Sequence, residues 1–204
     1  MIQYKSEFKI AHAKTSRLES GLVDNINDKG GLTIDGIAEN YHKDWVGWVI
    51  VKGAIKTHGI KKAENVLNDN SDLQKMIESF YIDKGYWKSS YNNLPQLISN
   101  ELYDTGVNMG ASVPIKYLQR LINCFNKNEK LYKNISVDGG IGNKTVDAFY
   151  KFIKSRPSWI DEEKAIRVMF TLLNCLQGDK YVGIVENNED QEVFFWGWVL
   201  NRLM

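Results

Sequence analysis

Apolar residues recur along most of the chain at intervals of three and four positions, the spacing that places side chains on one face of an α-helix. The spacing is clearest in three series: Leu118, Leu121, Ile122 and Phe125; Ile166, Met169, Phe170 and Leu173; and Trp196, Val199, Leu200 and Leu203. It predicts helices near residues 3–19, 38–57, 61–69, 71–87, 95–109, 113–127, 143–155, 161–177 and 190–203. Because no long segment alternates apolar and polar residues, we expect a mainly α fold.

One segment, residues 20–37, departs from the helical pattern. It holds four of the 16 glycines of the chain. Leu22-Val23 and Leu32-Thr33-Ile34 are predicted to pair as a short β-hairpin, since Gly and Asn supply the turn conformations that hairpins need. A glycine-dense loop of this length in a helical protein is often functional, so we expect catalytic or binding residues in this segment.

Composition excludes several classes of protein. The chain has 204 residues, 43% of them apolar, and a net charge of +1, so it can build a core and is not intrinsically disordered. Residues 1–93 carry 13 basic and 12 acidic side chains and residues 94–204 carry 13 of each, which argues against binding nucleic acid through phosphate contacts.

The N-terminal nine residues contain no apolar h-region, so we predict no Sec signal peptide. The longest apolar stretch, residues 193–200, is 8 residues long and too short to span a membrane. We therefore expect a chain that is made in the cytoplasm, does not insert into membranes, and reaches any outside target by release or export.

Cysteine and histidine usage predicts neither a disulfide framework nor a metal centre. Cys124 and Cys175 both lie in apolar helical segments and are expected to be buried free thiols. The three histidines, His12, His42 and His58, lack the spacing of metal ligands, so we expect neither metal nor cofactor.

The pair Trp45 and Trp48 is more typical of core packing than of a sugar-binding platform.

Two acids flank the glycine-rich loop. Glu19 is predicted to end the first helix, where the helix dipole and neighbouring leucines would raise its pKa, as a general acid requires. Asp28 lies nine residues later in a polar loop that would keep it ionised, and Thr33 follows. Such a pair suits glycoside hydrolysis. The same spacing also fits an exposed acid and an ordinary turn former.

The residues E-S-G-L-V at 19–23 and D-K-G-G-L-T-I-D-G-I at 28–37 resemble the signature of glycoside hydrolase family 108, E-G-G-Y-V followed by D-P-G-G-x-T-x-x-G-I. The spacing matches without a gap. The resemblance implies a lysozyme-like N-acetylmuramidase in which Glu19, Asp28 and Thr33 are catalytic. Ser20, Leu22 and Lys29 depart from the pattern, and Leu22 removes a hydroxyl near the acid.

The second half is similar to the predicted peptidoglycan-binding region of the same family. The similar segments are residues 102–110, 118–119, 137–145 and 196–202, while residues 80–81 and 85–87 resemble the segment that closes the family's first region. Asp104 and Asn108 project from one helix face, where Asn108 could hydrogen-bond a sugar acetamido group; the alternative is a structural role for both. We interpret residues 138–142 as a tight turn before the next helix and not as a ligand site.

These observations predict a mainly α, lysozyme-like, two-lobed fold with a small β-hairpin beside the active-site cleft. We expect a glycoside hydrolase region over residues 1–93 and a helical peptidoglycan-binding region over residues 94–204. The resemblance implies cleavage of the β-1,4 bond between N-acetylmuramic acid and N-acetylglucosamine in peptidoglycan glycan strands. The long loop between Glu19 and Asp28 favours inversion, and we expect a monomer.

The main alternative is a non-catalytic peptidoglycan-binding protein that has lost turnover, which the three departures from the family pattern support. A third possibility is action on another amino-sugar polymer. A polycationic polymer such as chitosan would call for a strongly acidic cleft, and the near-neutral composition gives that possibility no support.

Overall fold

The structure is a computed structural model that describes residues 4–19, 21–24 and 30–204, and for residues 17–19 it describes the backbone alone. In the described part the helices and strands, in chain order, are α1 (Phe8–Glu19), β1 (Leu22–Val23), β2 (Thr33–Ile34), β3 (Ile37–Ala38), α2 (Trp48–His58), α3 (Ile60–Asn68), α4 (Ser71–Asp83), α5 (Gln96–Met109), α6 (Val113–Cys124), α7 (Asn143–Lys154), α8 (Glu162–Asn187) and α9 (Glu192–Arg202). The mainly α prediction, with a small antiparallel sheet, is confirmed.

The chain divides into two compact units, His12–Gly85 and a larger one formed by Met1–Ala11 with Tyr86–Met204. The boundary predicted between residues 93 and 94 stays a prediction. In the smaller unit, α2 packs against α3, and the sheet runs in the order β1-β2-β3. Its core is formed by buried apolar residues that include Ile37, Val51, Leu67, Leu73 and Ile77.

The larger unit is built around α5, which packs against α6 and α8. The buried positions of α8 recur every four residues: Ala165, Met169, Leu173, Gln177 and Tyr181. The predicted turn before α7 is confirmed, since the Gly140 N–H donates to Asp138 Oδ1 over 2.8 Å and α7 begins at Asn143.

Two predicted element bounds are wrong. The predicted helix over residues 38–57 begins at Trp48, because β3 pairs Ile37 with Ile34 and residues 39–47 form turns. The predicted helix over residues 161–177 is too short, because α8 continues to Asn187.

The prediction of buried thiols is also wrong, because both cysteines are exposed. Cys175 lies on α8 two residues after buried Leu173, and two residues correspond to about 200° of helix rotation. Cys124 is the last residue of α6. Trp48 is buried as predicted, whereas Trp45 is only partly buried.

Candidate active site

The end of α1 leads directly into the small sheet. Glu19 is the last residue of α1, and Gly21, two residues later, accepts a hydrogen bond on its carbonyl from the Asp35 N–H over 3.3 Å. The ladder continues with Val23 opposite Thr33. The backbones of two predicted catalytic residues, Glu19 and Thr33, therefore lie on adjoining elements of the smaller unit.

The predicted acids themselves are beyond what the structure describes. Asp28 falls within residues 25–29, outside the described residues, and the same holds for the side chain of Glu19. Thr33 is described and half-buried, and its Oγ1 donates a hydrogen bond to the Gly31 carbonyl over 3.1 Å. Because the hydroxyl proton is used there, the oxygen lone pairs remain as acceptors for a water or a substrate hydroxyl.

A third acid of this region, Asp35, was not predicted as a site residue from the sequence. It is 8% exposed and has φ +45°, and Gly36 after it has φ +78°. Burial raises the pKa of the Asp35 carboxyl, a hydrogen bond from the Gly21 backbone acts against this, and the Glu64 carboxylate again raises the pKa. The sequence does signal the turn that holds Asp35, since Asp-Gly between two short apolar pairs is the strongest local sign of a two-residue hairpin turn.

The turn at Asp35 is also held from α4. The Tyr81 hydroxyl donates to the Asp35 carbonyl over 2.6 Å. The Tyr81 ring in turn lies 5.3 Å, centroid to centroid, from the imidazole of His12 on α1. Burial lowers the pKa of His12, partly offset by the Glu78 carboxylate, so the ring is neutral at pH 7 and packs as an uncharged group. One chain of contacts thus joins α1, α4 and the β2–β3 turn.

The two predicted substrate-binding residues lie on α5, in the larger unit. Asp104 Oδ1 accepts a hydrogen bond from Arg202 Nη1 over 2.7 Å, and the two side chains are only 11% and 6% exposed. Asn108 Oδ1 accepts from the Tyr181 hydroxyl over 3.1 Å. Asp104 therefore has a structural partner within the protein, while sugar binding by either residue stays a prediction.

Neither a metal cluster nor a membrane span is found in the described ranges. Among residues 4–19, 21–24 and 30–204, no group of three or more His, Cys, Asp or Glu side chains is arranged to hold a metal ion. No helix in this part of the chain combines the length and the apolar character that crossing a membrane requires.

Comparison with protein families accounts for nearly all of the chain. Residues 12–110 match the family model described as Glycosyl hydrolase 108, and residues 113–203 match the model described as Predicted Peptidoglycan domain. No curated protein matches the chain. The first match contains the α1–sheet region with Glu19, Asp28 and Thr33, and the second contains α6 to α9. Residues 12–110 are therefore a glycosyl hydrolase 108 region and residues 113–203 a predicted peptidoglycan domain, and this combination identifies a peptidoglycan hydrolase.

Proposed function

We propose that the protein is an N-acetylmuramidase that cleaves the β-1,4 bond between N-acetylmuramic acid and N-acetylglucosamine, with Glu19 as the general acid. Glu19 ends α1, where the partial negative charge of the helix C-terminus favours a protonated carboxyl group. A protonated carboxyl is what this chemistry needs, because the glycosidic oxygen must receive a proton as the bond breaks.

In this proposal Asp28 and Thr33 act on the other side of the sugar ring. Ionised Asp28 either stabilises the oxocarbenium-like transition state or accepts a proton from the attacking water. Thr33 helps to hold that water through the oxygen lone pairs left by its hydrogen bond to Gly31. A water-bridged arrangement requires the two carboxyl groups to be about 6.5–9.5 Å apart and gives inversion, whereas about 5 Å gives retention.

The observation that carries the proposal is the antiparallel register after α1. Gly21 is bonded to Asp35 and Val23 is opposite Thr33, so the strand that follows Glu19 runs directly beside the strand that bears Thr33. The register supports the proposal because the strand that begins three residues after Glu19 pairs with the strand that bears Thr33, within a sequence signature of 15 residues from Glu19 to Thr33.

The test is mass spectrometry of fragments released from purified peptidoglycan by the wild type, Glu19→Gln and a matched control, Glu186→Gln. Glu186 is an exposed acid on α8 and outside the glycosyl hydrolase match, so the control removes the same charge elsewhere. We expect new reducing-end N-acetylmuramic acid from the wild type and the control. Loss of a general acid slows hydrolysis by about 100-fold or more, so Glu19→Gln should release almost none.

Each other result has a definite meaning. Undiminished release by Glu19→Gln removes Glu19 from the role of general acid. Fragments that end in N-acetylglucosamine contradict the bond assignment. A wild type that sediments with peptidoglycan but releases nothing indicates the binding protein without turnover.

A further inference from the structure

A concave site lies in the smaller unit. It has a volume of about 720 Å³, and its walls come from the segment before and at the start of α2 and from α4. That volume is within the range of roughly 300–1,000 Å³ typical of small-molecule sites. The described residues that line it include four rings: Tyr41, His42, Trp45 and Phe80. None of its described lining residues lies on α1, β1, β2 or β3, so it is separate from the strand pair that carries Thr33.

The Trp45 ring is fixed in the wall of this aromatic pocket. It makes edge-to-face contacts with Trp48, at a centroid distance of 5.3 Å, and with Phe80, at 6.0 Å. It also folds over Gly47, where an added Cβ would come within 2.4 Å of the indole. Trp45 is nevertheless partly exposed, and Tyr41 at the same pocket is 67% exposed. The pocket therefore presents accessible aromatic surface, and contacts within the protein hold the Trp45 ring in position.

The charges around the aromatic pocket balance. Three lysines and three aspartates line it: Lys43, Lys75, Lys84, Asp44, Asp72 and Asp83. Burial lowers the pKa of His42, and the Lys84 ammonium lowers it further, so the imidazole is neutral at pH 7 and offers one donor and one acceptor. A site with no net charge has no electrostatic preference for a polyanion or a polycation. It suits an uncharged ligand with many hydrogen-bonding groups and an apolar surface.

We propose that the aromatic pocket binds an N-acetylated hexosamine segment of the peptidoglycan glycan outside the catalytic site. A pyranose ring has a face of C–H groups that stacks on an aromatic ring, while its hydroxyl and acetamido groups at the edge meet the charged and hydroxyl side chains of the rim. The ligand class rests on the proposed function, in which this glycan is the substrate. Binding here keeps the enzyme on the strand between cleavages.

The experiment follows the indole N–H signals of the full-length chain in ¹H–¹⁵N spectra while the β-1,4-linked N-acetylglucosamine tetramer is added. The chain has six tryptophans, and the Trp45 signal is assigned with Trp45→Phe. We expect the Trp45 signal to shift with a saturable dependence on tetramer concentration. Tyr41→Ala removes one exposed ring and should raise the Kd reported by Trp45 by about five- to tenfold.

The matched control is Trp159→Ala, which removes a 76% exposed ring that does not line the pocket and should leave the Kd unchanged. Gly47→Ala gives a second, indirect test, because the new methyl group must displace the Trp45 ring, and it should weaken binding with Tyr41 intact. Thermal unfolding of each variant establishes that it is folded. A Trp45 signal that does not move, or a Kd that is the same in wild type and Tyr41→Ala, overturns the proposal.

The titration is done in the wild-type and Glu19→Gln chains, so that binding and turnover are judged separately. Tetramer binding at Trp45 in both chains supports the aromatic pocket whatever Glu19 does. If Glu19→Gln still hydrolyses peptidoglycan, the proposed catalytic role fails while the pocket result stands. If hydrolysis depends on Glu19 but Trp45 does not respond, the proposal for the pocket fails and the catalytic role stands.

Discussion

Asp104 is held within the larger unit by an ion pair that has little contact with solvent. Its carboxylate lies 2.7 Å from Arg202 Nη1, and both side chains are about nine-tenths buried. Such a pair stabilises a fold only modestly when intact, but removal of one partner leaves a charge in a poorly hydrated place. A second pair, Arg167 with Glu163 on α8, offers the opposite case, since both of its side chains are well exposed.

We predict that Arg202→Met lowers the free energy of unfolding by about 3 kcal/mol, because it leaves the Asp104 carboxylate without its cation. The same substitution at the exposed pair, Arg167→Met, should cost less than about 1 kcal/mol. Urea unfolding followed by circular dichroism measures both. Equal losses for the two variants would mean that the Asp104–Arg202 pair is no more than a surface contact.

For single residues, the sequence predicted where Asp104 and Asn108 lie on their helix but not which residues they contact. The spacing of Asp104 and Asn108 places both on one face of α5, and that part needs only helical geometry. Their partners, Arg202 and Tyr181, lie 98 and 73 positions away in sequence. No local pattern reports contacts of such separation, so binding and structural roles could not be distinguished before the packing was known.

At the scale of elements, the β2–β3 turn depends on a backbone conformation that favours glycine. Gly36 has φ +78°, a conformation that costs a residue with a Cβ about 1–2 kcal/mol. Gly53 lies inside α2, and a Cβ added there meets no atom within 4 Å. In a helix, alanine is favoured over glycine by about 0.5–1 kcal/mol.

We therefore predict opposite signs for two identical substitutions in the smaller unit. Gly36→Ala should destabilise the protein by about 1–2 kcal/mol and Gly53→Ala should stabilise it by about 0.5–1 kcal/mol. Differential scanning calorimetry reports both as shifts of Tm in opposite directions. A Gly36→Ala protein that unfolds at the wild-type temperature would contradict the strained turn deduced from the backbone.

Helix positions were predictable wherever a local signal marks the boundary. Asp161 accepts a hydrogen bond from the Lys164 N–H at the start of α8, close to the predicted start at residue 161. The end of α8 was not predictable, because Gly178 resembles a helix breaker. In the fold Gly178 lies against Leu203, the residue after α9, where an added Cβ would come within 3.2 Å of the leucine side chain. Tyr181 stacks on Trp198 of α9 at a centroid distance of 5.1 Å. Tertiary packing thus extends the helix past its local stop signal.

At the scale of the whole molecule, the charge distribution indicates which kind of interaction can bind peptidoglycan. The net charge is +1, basic and acidic residues are evenly distributed between the two halves, and the aromatic pocket is lined by three cations and three anions. Long-range attraction to an anionic polymer is therefore weak, and contact must come from short-range stacking and hydrogen bonds. Salt screens the first kind of interaction strongly and the second kind little.

We predict that sedimentation of the Glu19→Gln chain with purified peptidoglycan changes by less than about twofold between roughly 50 mM and 500 mM NaCl. A matched control in the same Glu19→Gln chain, whose net charge is +2, replaces two exposed acids in the segment before α9, Glu189→Lys with Asp190→Lys. Each substitution raises the net charge by two, so the control carries +6. This control should bind more tightly at low salt and lose that gain at high salt, because added cations attract the stem-peptide carboxylates only while they are unscreened. A steep loss of binding by the unmodified surface would instead require a basic face that the even charge distribution conceals.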